Sequence, residues 1–203
     1  MYSNGFQKEK EMKHDIILAG VGGQGILSIA AVLDFAALKN HLYVKQAEVH
    51  GMSQRGGAVQ SHLRISDKPI HSDLIPQGNA DIIVSVELME SLRYIPFLAP
   101  DGWVITSTTV EKNIPNYPDI AEITAAIQKL PHHKLIDSET LARNAGSARA
   151  ENMVMLGAIS HLIEIPFSDL EDGARFLFGK KDAKIVEINL AALAAGKAIG
   201  TAA

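Results

Sequence analysis

Cysteine is absent from all 203 residues, which excludes disulfides, thiolate nucleophiles and cysteine-ligated iron–sulfur clusters in one stroke. Any cluster that serves this protein must sit on another chain. An excess of positive charge is also missing: 19 Lys and Arg stand against 23 Asp and Glu, for a net charge of −4. Nucleic acid is therefore not an expected partner, because neutralising phosphates takes a basic patch. No apolar run reaches the roughly 18 residues that a membrane span needs. The polar start, Met1-Tyr2-Ser3-Asn4-Gly5-Phe6-Gln7-Lys8-Glu9-Lys10-Glu11-Met12, has no apolar signal core. A cytoplasmic protein with no membrane partner is expected. Residues 1–12 read as a flexible extension, and Met12 is as plausible a start as Met1.

Chemistry-bearing motifs are scarce as well. The eight histidines are scattered, and the adjacent pair His132-His133 points apart on most backbones. No H-E-x-x-H, no carboxylate-rich cluster and no G-x-S-x-G elbow occurs, so neither a metal site nor a catalytic nucleophile is expected.

What is present is an ordinary globular composition, 47% hydrophobic and 21% charged, with no linker that splits residues 13–203 into two domains. Asp15-Ile16-Ile17-Leu18-Ala19 is a short apolar run, as a buried parallel strand would be. A helix follows to about Lys39, with Ile26, Leu27, Ile29, Ala30, Leu33 and Ala37 at helical spacing. Further strands are expected at 42–47, 58–65, 81–86, 103–107 and 134–136. Helices are expected near 87–98, 119–130, 148–163, from Ser168 to 178, and 182–199. Ser138 is placed to cap a helix, and Ser168-Asp169-Leu170-Glu171 reads as a capping box. The alternation predicts a three-layer α/β/α, Rossmann-like domain with a mainly parallel or mixed sheet, parallel at its start.

Between the first strand and helix lies Gly20-Val21-Gly22-Gly23-Gln24-Gly25. Glycines at 20, 22 and 25 fit G-x-G-x-x-G, in which a bare backbone lets a phosphate approach a helix N-terminus. Gly20, Gly22, Gly23, Gln24 and Gly25 are thus candidate cofactor-binding residues, against a bland reading in which they only form a tight turn. A dinucleotide site would also want a ribose-binding acid after the second strand, and Glu48 is the only candidate there. A P-loop is excluded because no Gly-Lys-Ser/Thr follows.

One helix and one strand later comes Glu48-Val49-His50-Gly51-Met52-Ser53-Gln54-Arg55-Gly56-Gly57. Glu48, His50, Ser53, Gln54 and Arg55 carry donors and acceptors that suit a carboxylate, a phosphate or a backbone edge, and Gly56 and Gly57 admit a partner's backbone. The pair of loops resembles the gamma-type module of 2-oxoacid:ferredoxin oxidoreductases, and most closely its indolepyruvate branch. The resemblance continues through His71-Ser72-Asp73-Leu74-Ile75-Pro76, Ala80-Asp81, Glu87 and Arg93. It extends to Gly146-Ser147-Ala148-Arg149-Ala150-Glu151-Asn152-Met153-Val154-Met155-Leu156-Gly157-Ala158, covering about residues 13–200. The family more often has Ser-Pro where this chain has Ser72-Asp73.

The resemblance implies oxidative decarboxylation of 2-oxoacids, here arylpyruvates such as indolepyruvate, to acyl-coenzyme A with ferredoxin as acceptor. It implies a large (alpha) partner subunit that carries thiamine diphosphate and [4Fe-4S] clusters. This chain has neither the thiamine diphosphate signature nor a cysteine, so it is expected to be inactive alone. Its own part would be to contact coenzyme A through the glycine loop and Arg55, or to wall the active site. Two other readings remain open from the residues: a stand-alone nucleotide-binding reductase, and a scaffold subunit.

Overall fold

The computed structural model describes residues 11–50, 56–112, 114–180 and 182–202, with the side chain of His50 set aside. Among these residues six strands form one mixed sheet in the order β2-β3-β1-β4-β5-β6. They are β1 (Lys13–Val21), β2 (Tyr43–His50), β3 (Ala58–Ser66), β4 (Ala80–Ser85), β5 (Leu98–Ser107) and β6 (His133–Ile136). Strands β1, β4, β5 and β6 run parallel. The expectation of a parallel start is corrected: β3 is antiparallel to both β1 and β2. The physical reason lies in the connection after β2, which is too short for the crossover a parallel pair requires and so returns the chain as a hairpin.

Among the described residues, seven α-helices cover the sheet: α1 (Ile26–Lys39), α2 (Glu90–Arg93), α3 (Ile120–Gln128), α4 (Ser138–Asn144), α5 (Glu151–Ile159), α6 (Phe167–Phe178) and α7 (Ala183–Thr201). The main core joins Ile16 and Leu18 of β1 to buried residues of α1, α4, α5, α6 and α7. Smaller clusters on the opposite face join Ile17 and Ala19 to Tyr94, and Leu88 to Ile123 and Ile127. The α/β/α layering follows from β1 being buried on both faces, Lys13 alone excepted.

Several expected boundaries shift for local reasons. The helix expected over 87–98 shrinks to α2 and a 3-10 turn, Ile95–Phe97, because Pro96 lacks an N–H for a longer ladder. Glu87 stays outside, and its Oε2 accepts the Glu90 N–H at 2.8 Å. The capping box at Ser168 is not formed: α6 begins at Phe167 behind Pro166, with no side-chain cap. Asp137, not Ser138, caps α4 by accepting the Thr140 N–H at 3.0 Å. The helix expected over 148–163 divides into a 3-10 turn, Ala148–Ala150, and α5. Met12, placed within the extension, packs against the main core, and its carbonyl accepts the Asp67 N–H at 3.1 Å; residues 1–10 lie outside the described residues.

Helices α5 and α7 cross at backbone distance. A Cβ on Gly196 would fall 1.9 Å from the Val154 carbonyl, and one on Gly157 would fall 2.0 Å from the Leu193 carbonyl. Gly200 repeats the contact against Ala158 at 2.3 Å. At the far end of α7, Lys134 Nζ donates to the carbonyls of Ile199 and Gly200 at 3.0 Å each, satisfying a C-terminus that would otherwise be orphaned.

On the other face, the connection 67–79 is pinned over β3. Arg64 holds buried Asp15 with two bonds, of 2.7 and 3.1 Å, and donates to the carbonyls of Ser72 and Leu74. Buried His62 accepts the Ile75 N–H on Nδ1 at 3.1 Å, so its ring must be neutral with the proton on Nε2.

Two tests follow from this packing. Gly196→Ala should lower stability by about 2–3 kcal/mol, since the helices must separate to admit the methyl, and thermal unfolding should show a drop of about 5–10 °C. Burial first, and Arg64 second, lower the His62 pKa below its ordinary value. The unfolded chain therefore takes up this proton before the folded one. The His62 contribution is complete above about pH 6.5 and is lost as pH falls through the folded value. Urea unfolding across pH 5–8 should show this slope in the wild type and a shallower one in His62→Gln, which keeps an acceptor but does not titrate.

Candidate functional site

The glycine loop is built as a latched turn at the carboxyl end of β1. Gln24 Oε1 accepts the Val21 N–H at 2.8 Å, and the Gln24 N–H returns to the Val21 carbonyl at 3.1 Å. Gly23 and Gly25 take positive φ, +108° and +74°, where a side chain would be strained. Gly20 is a buried strand residue whose absent Cβ leaves room for Gln24 Oε1. Gly22 donates to the Gly57 carbonyl at 2.9 Å and accepts from the Gly56 N–H at 3.4 Å.

Those last two bonds bring the two sequence motifs together. The descending end of the second loop, Gly56-Gly57, lies against the first loop through its backbone. Glu48 is exposed near the end of β2, and His50 ends that strand. Ser53, Gln54 and Arg55 lie outside the described residues. Glu48 sits on the α1 face of the sheet, since it pairs with Ser61, which pairs with Leu18 of β1.

A cavity of about 620 Å³ opens beside the turn. Gly23, Gln24, Gly25 and Ser28 form one wall, residues 147–152 a second, and Phe178, Ile185, Ile188 and Asn189 an apolar third. Gly20 and Gly22 do not reach it. The N–H groups of Gly23 and Gly25 have no hydrogen-bond partner among the described residues, and a Cβ on Gly23 would meet only open space. Arg149 is exposed at this cavity, and its guanidinium has no partner among the described residues. The α1 dipole and one free cation thus face the same space, an arrangement suited to an anion.

Three residues that the motif search passed over as site residues organise this wall. Asn152 Nδ2 donates to the Gly25 carbonyl at 3.0 Å, fixing the N-terminus of α5 on the turn. Glu151 Oε1 receives hydroxyls from Ser107 at 2.8 Å, Thr109 at 2.5 Å and Ser138 at 2.6 Å. It thereby ties α5 to the end of β5 and the start of α4. Arg149 and Asn152 were visible only inside the resemblance, while Glu151 carried no local pattern, because its three partners are 13 to 44 residues away in the chain.

Classical dinucleotide geometry is not reproduced. In that fold the second strand lies parallel beside the first and delivers its acid to the ribose. Here β3 separates β1 from β2, and Glu48 is not among the residues lining the cavity. No group of three His, Asp or Glu that could hold a metal occurs among the described residues, and no described helix is long and apolar enough to cross a membrane.

Fold and site together define a Rossmann-like α/β module with an open cavity at its glycine turn. Residues 15–199 match the family model described as pyruvate ferredoxin/flavodoxin oxidoreductase, and the chain belongs to that family. It is 36% identical over 192 residues to indolepyruvate oxidoreductase subunit IorB of Archaeoglobus fulgidus, covering 91% of this chain and 94% of that one. Among solved structures it resembles the 2-oxoglutarate:ferredoxin oxidoreductase of Magnetococcus marinus, with coenzyme A and succinyl-CoA bound. The TM-score is 0.77 at 23% identity, over 95% of this chain but only 32% of that one. It also resembles the keto/oxoacid ferredoxin oxidoreductase gamma subunit of Geobacter sulfurreducens, with a TM-score of 0.69 at 21% identity, over 94% of this chain and 99% of that one.

The contact between Asn152 and Gly25 yields a double-mutant test. Asn152→Ala should cost about 1–2 kcal/mol by stranding the Gly25 carbonyl. Gly25→Ala should cost more, because its Cβ would lie 2.6 Å from Asn152 Nδ2 on a left-handed backbone. The double variant should be less destabilised than the sum by about 1 kcal/mol, since removing Asn152 removes the clash; additive losses in chemical denaturation would contradict this geometry.

Proposed function

We propose that this chain is the cofactor-free subunit of a cytoplasmic 2-oxoacid:ferredoxin oxidoreductase that acts on arylpyruvates, indolepyruvate among them. The observation that carries the reading is the 36% identity to the Archaeoglobus subunit IorB along almost the full length of both chains. The absence of cysteine supports it, since the iron–sulfur clusters and thiamine diphosphate must then belong to a larger partner. That partner performs the decarboxylation and passes the electrons to ferredoxin, while residues 13–203 act as one domain against it.

The part played by this chain's own residues is to hold the acyl acceptor. Coenzyme A supplies the thiol that takes the acyl group as a thioester. Its phosphates suit the free N–H groups of Gly23 and Gly25, the N-terminus of α1 and the Arg149 guanidinium, and Ser28 adds a hydroxyl to the same wall. Phe178, Ile185 and Ile188 give the cavity an apolar side for the less polar parts of such a ligand. Arg55 belongs to the same reading as a second cation. Gln24 is needed differently: its Oε1 holds the turn, so it shapes the site through the backbone.

The test is anaerobic viologen reduction by indolepyruvate and coenzyme A, using the co-expressed large subunit with and without this chain. Activity should require both chains. Arg149→Ala and Arg55→Ala should each raise the KM for coenzyme A about tenfold, equivalent to about 1.4 kcal/mol, and leave the KM for indolepyruvate unchanged. Full activity without this chain would overturn the subunit reading, and unchanged coenzyme A kinetics in both variants would overturn the role of the cavity.

A further inference from the structure

The outward side of α1 is apolar where a solvent-facing helix should be polar. Leu27, Ala31, Phe35 and Leu38 recur at intervals of three and four and share one stripe. Leu27 is 41% exposed and Leu38 62%. Phe35 stacks on Phe176 of α6, with ring centroids 4.9 Å apart, and Phe176 is 70% exposed. An aromatic left in water to that extent, beside a leucine-lined helix, marks a surface that another protein covers.

Asp34 lies in the middle of this stripe. Its Oδ1 is buried without a hydrogen-bond partner, and its carboxylate makes no ion pair among the described residues. Burial, and secondarily the nearby charge of Glu48, push its pKa up to about 6. A carboxylate kept this way costs the isolated chain stability and is relieved by an incoming cation. The other charges around the stripe are already matched: Lys39 bonds Asp169 at 2.6 Å and Asp172 at 2.7 Å, and Arg175 bonds Asp172 at 3.0 Å. The surface therefore selects a partner with one unmatched cation among apolar side chains.

The size of the relatives says what kind of partner. The same fold makes up 99% of a separate chain in Geobacter and 32% of a longer chain in Magnetococcus. A module that is sometimes fused to a much larger body and sometimes separate needs a face that replaces the covalent link. The stripe also begins at the cavity: Leu27 stands in the same first turn of α1 that carries Ser28 into the cavity wall.

We propose that Leu27, Ala31, Phe35 and Leu38 of α1, with Phe176 of α6 and the carboxylate of Asp34, form the docking face for the large subunit, which presents an arginine or lysine flanked by apolar side chains. The proposal rests on the subunit reading above, and its test separates the two. Wild type, Leu38→Glu, Phe176→Glu, Asp34→Asn and Asp34→Lys are each titrated against the purified large subunit by calorimetry. Hydrogen exchange of the wild type is followed with and without that subunit. Ile120→Glu, at a 45% exposed residue on the opposite face, serves as the control.

Leu38→Glu and Phe176→Glu should weaken binding at least tenfold, Asp34→Asn severalfold and Asp34→Lys more than Asp34→Asn, while Ile120→Glu binds as wild type. Exchange should slow in 26–39 and 167–178. Because the substituted side chains are exposed or poorly satisfied, circular dichroism of the variants should match wild type. A wild-type complex indifferent to these variants, or protection confined to α3, would overturn the docking face and leave the subunit reading standing. A self-association of this chain that Leu38→Glu abolishes, with large-subunit binding intact, would overturn it in favour of a second copy. No complex with wild type would overturn both.

Discussion

The close crossing of α5 and α7 is the constraint on which the rest of the molecule depends. Every residue of α5 from Asn152 to Ile159 is buried, so this helix has no solvent-facing side and must be enclosed by its neighbours. Enclosure by a long terminal helix is possible only because Gly157, Gly196 and Gly200 remove the side chains that would hold the two backbones apart. A glycine within a helix costs about 1 kcal/mol of helix propensity. Three of them at one crossing are tolerated because intimate packing returns dispersion contacts along the whole interface.

That crossing also positions the site. The N-terminus of α5 is tied twice, once to the glycine turn through Asn152 and once to the end of β5 and the start of α4 through Glu151. The α7 residues that wall the cavity, Ile185, Ile188 and Asn189, lie on the helix that α5 packs against. The cavity is thus a by-product of enclosing a helix buried from Asn152 to Ile159: two helix starts and one helix flank converge where the enclosing layer meets the carboxyl end of the sheet. Its anion-facing character then comes from two sources of different kind, the dipole of α1 and the Arg149 guanidinium, which has no partner among the described residues.

How much of this was legible in the sequence depended on how local the determinant was. The turn between β1 and α1 was readable because the positive-φ residues Gly23 and Gly25 and the apolar period of α1 lie within one short stretch. The helix starts were readable but their caps were not. Asp119 and Asp182 cap α3 and α7 from within two residues, but Ser168 offered the right chemistry in a place where Pro166 had already set the start of α6. The antiparallel course of β3 was not readable from its alternation, since a strand has the same period in either direction, and only the brevity of the preceding connection argued for a hairpin. Glu151 was illegible in principle: its carboxylate gathers hydroxyls from three segments that only the finished sheet brings together.

The position of β3 has a consequence for chemistry as well as for topology. By entering between β1 and β2, it moves Glu48 two strands away from the glycine turn and removes the acid that would grip a ribose in a dinucleotide site. What survives of the nucleotide-binding pattern is its phosphate end: a turn, two free amides and a helix dipole. A turn of that kind holds an anion without selecting a hydride carrier, so the reactive end of the ligand must be placed by something else. The flank of α7 at the cavity, Ile185, Ile188 and Asn189, is suited to the less polar part of a ligand and carries no acid or base. In the proposed reading, a site that anchors an anion is what a subunit contributes when the reacting atoms belong to its partner. In the proposed assembly, the exposed stripe of α1, which starts in the helix turn that walls this cavity, puts the partner's surface next to the site suited to an anion.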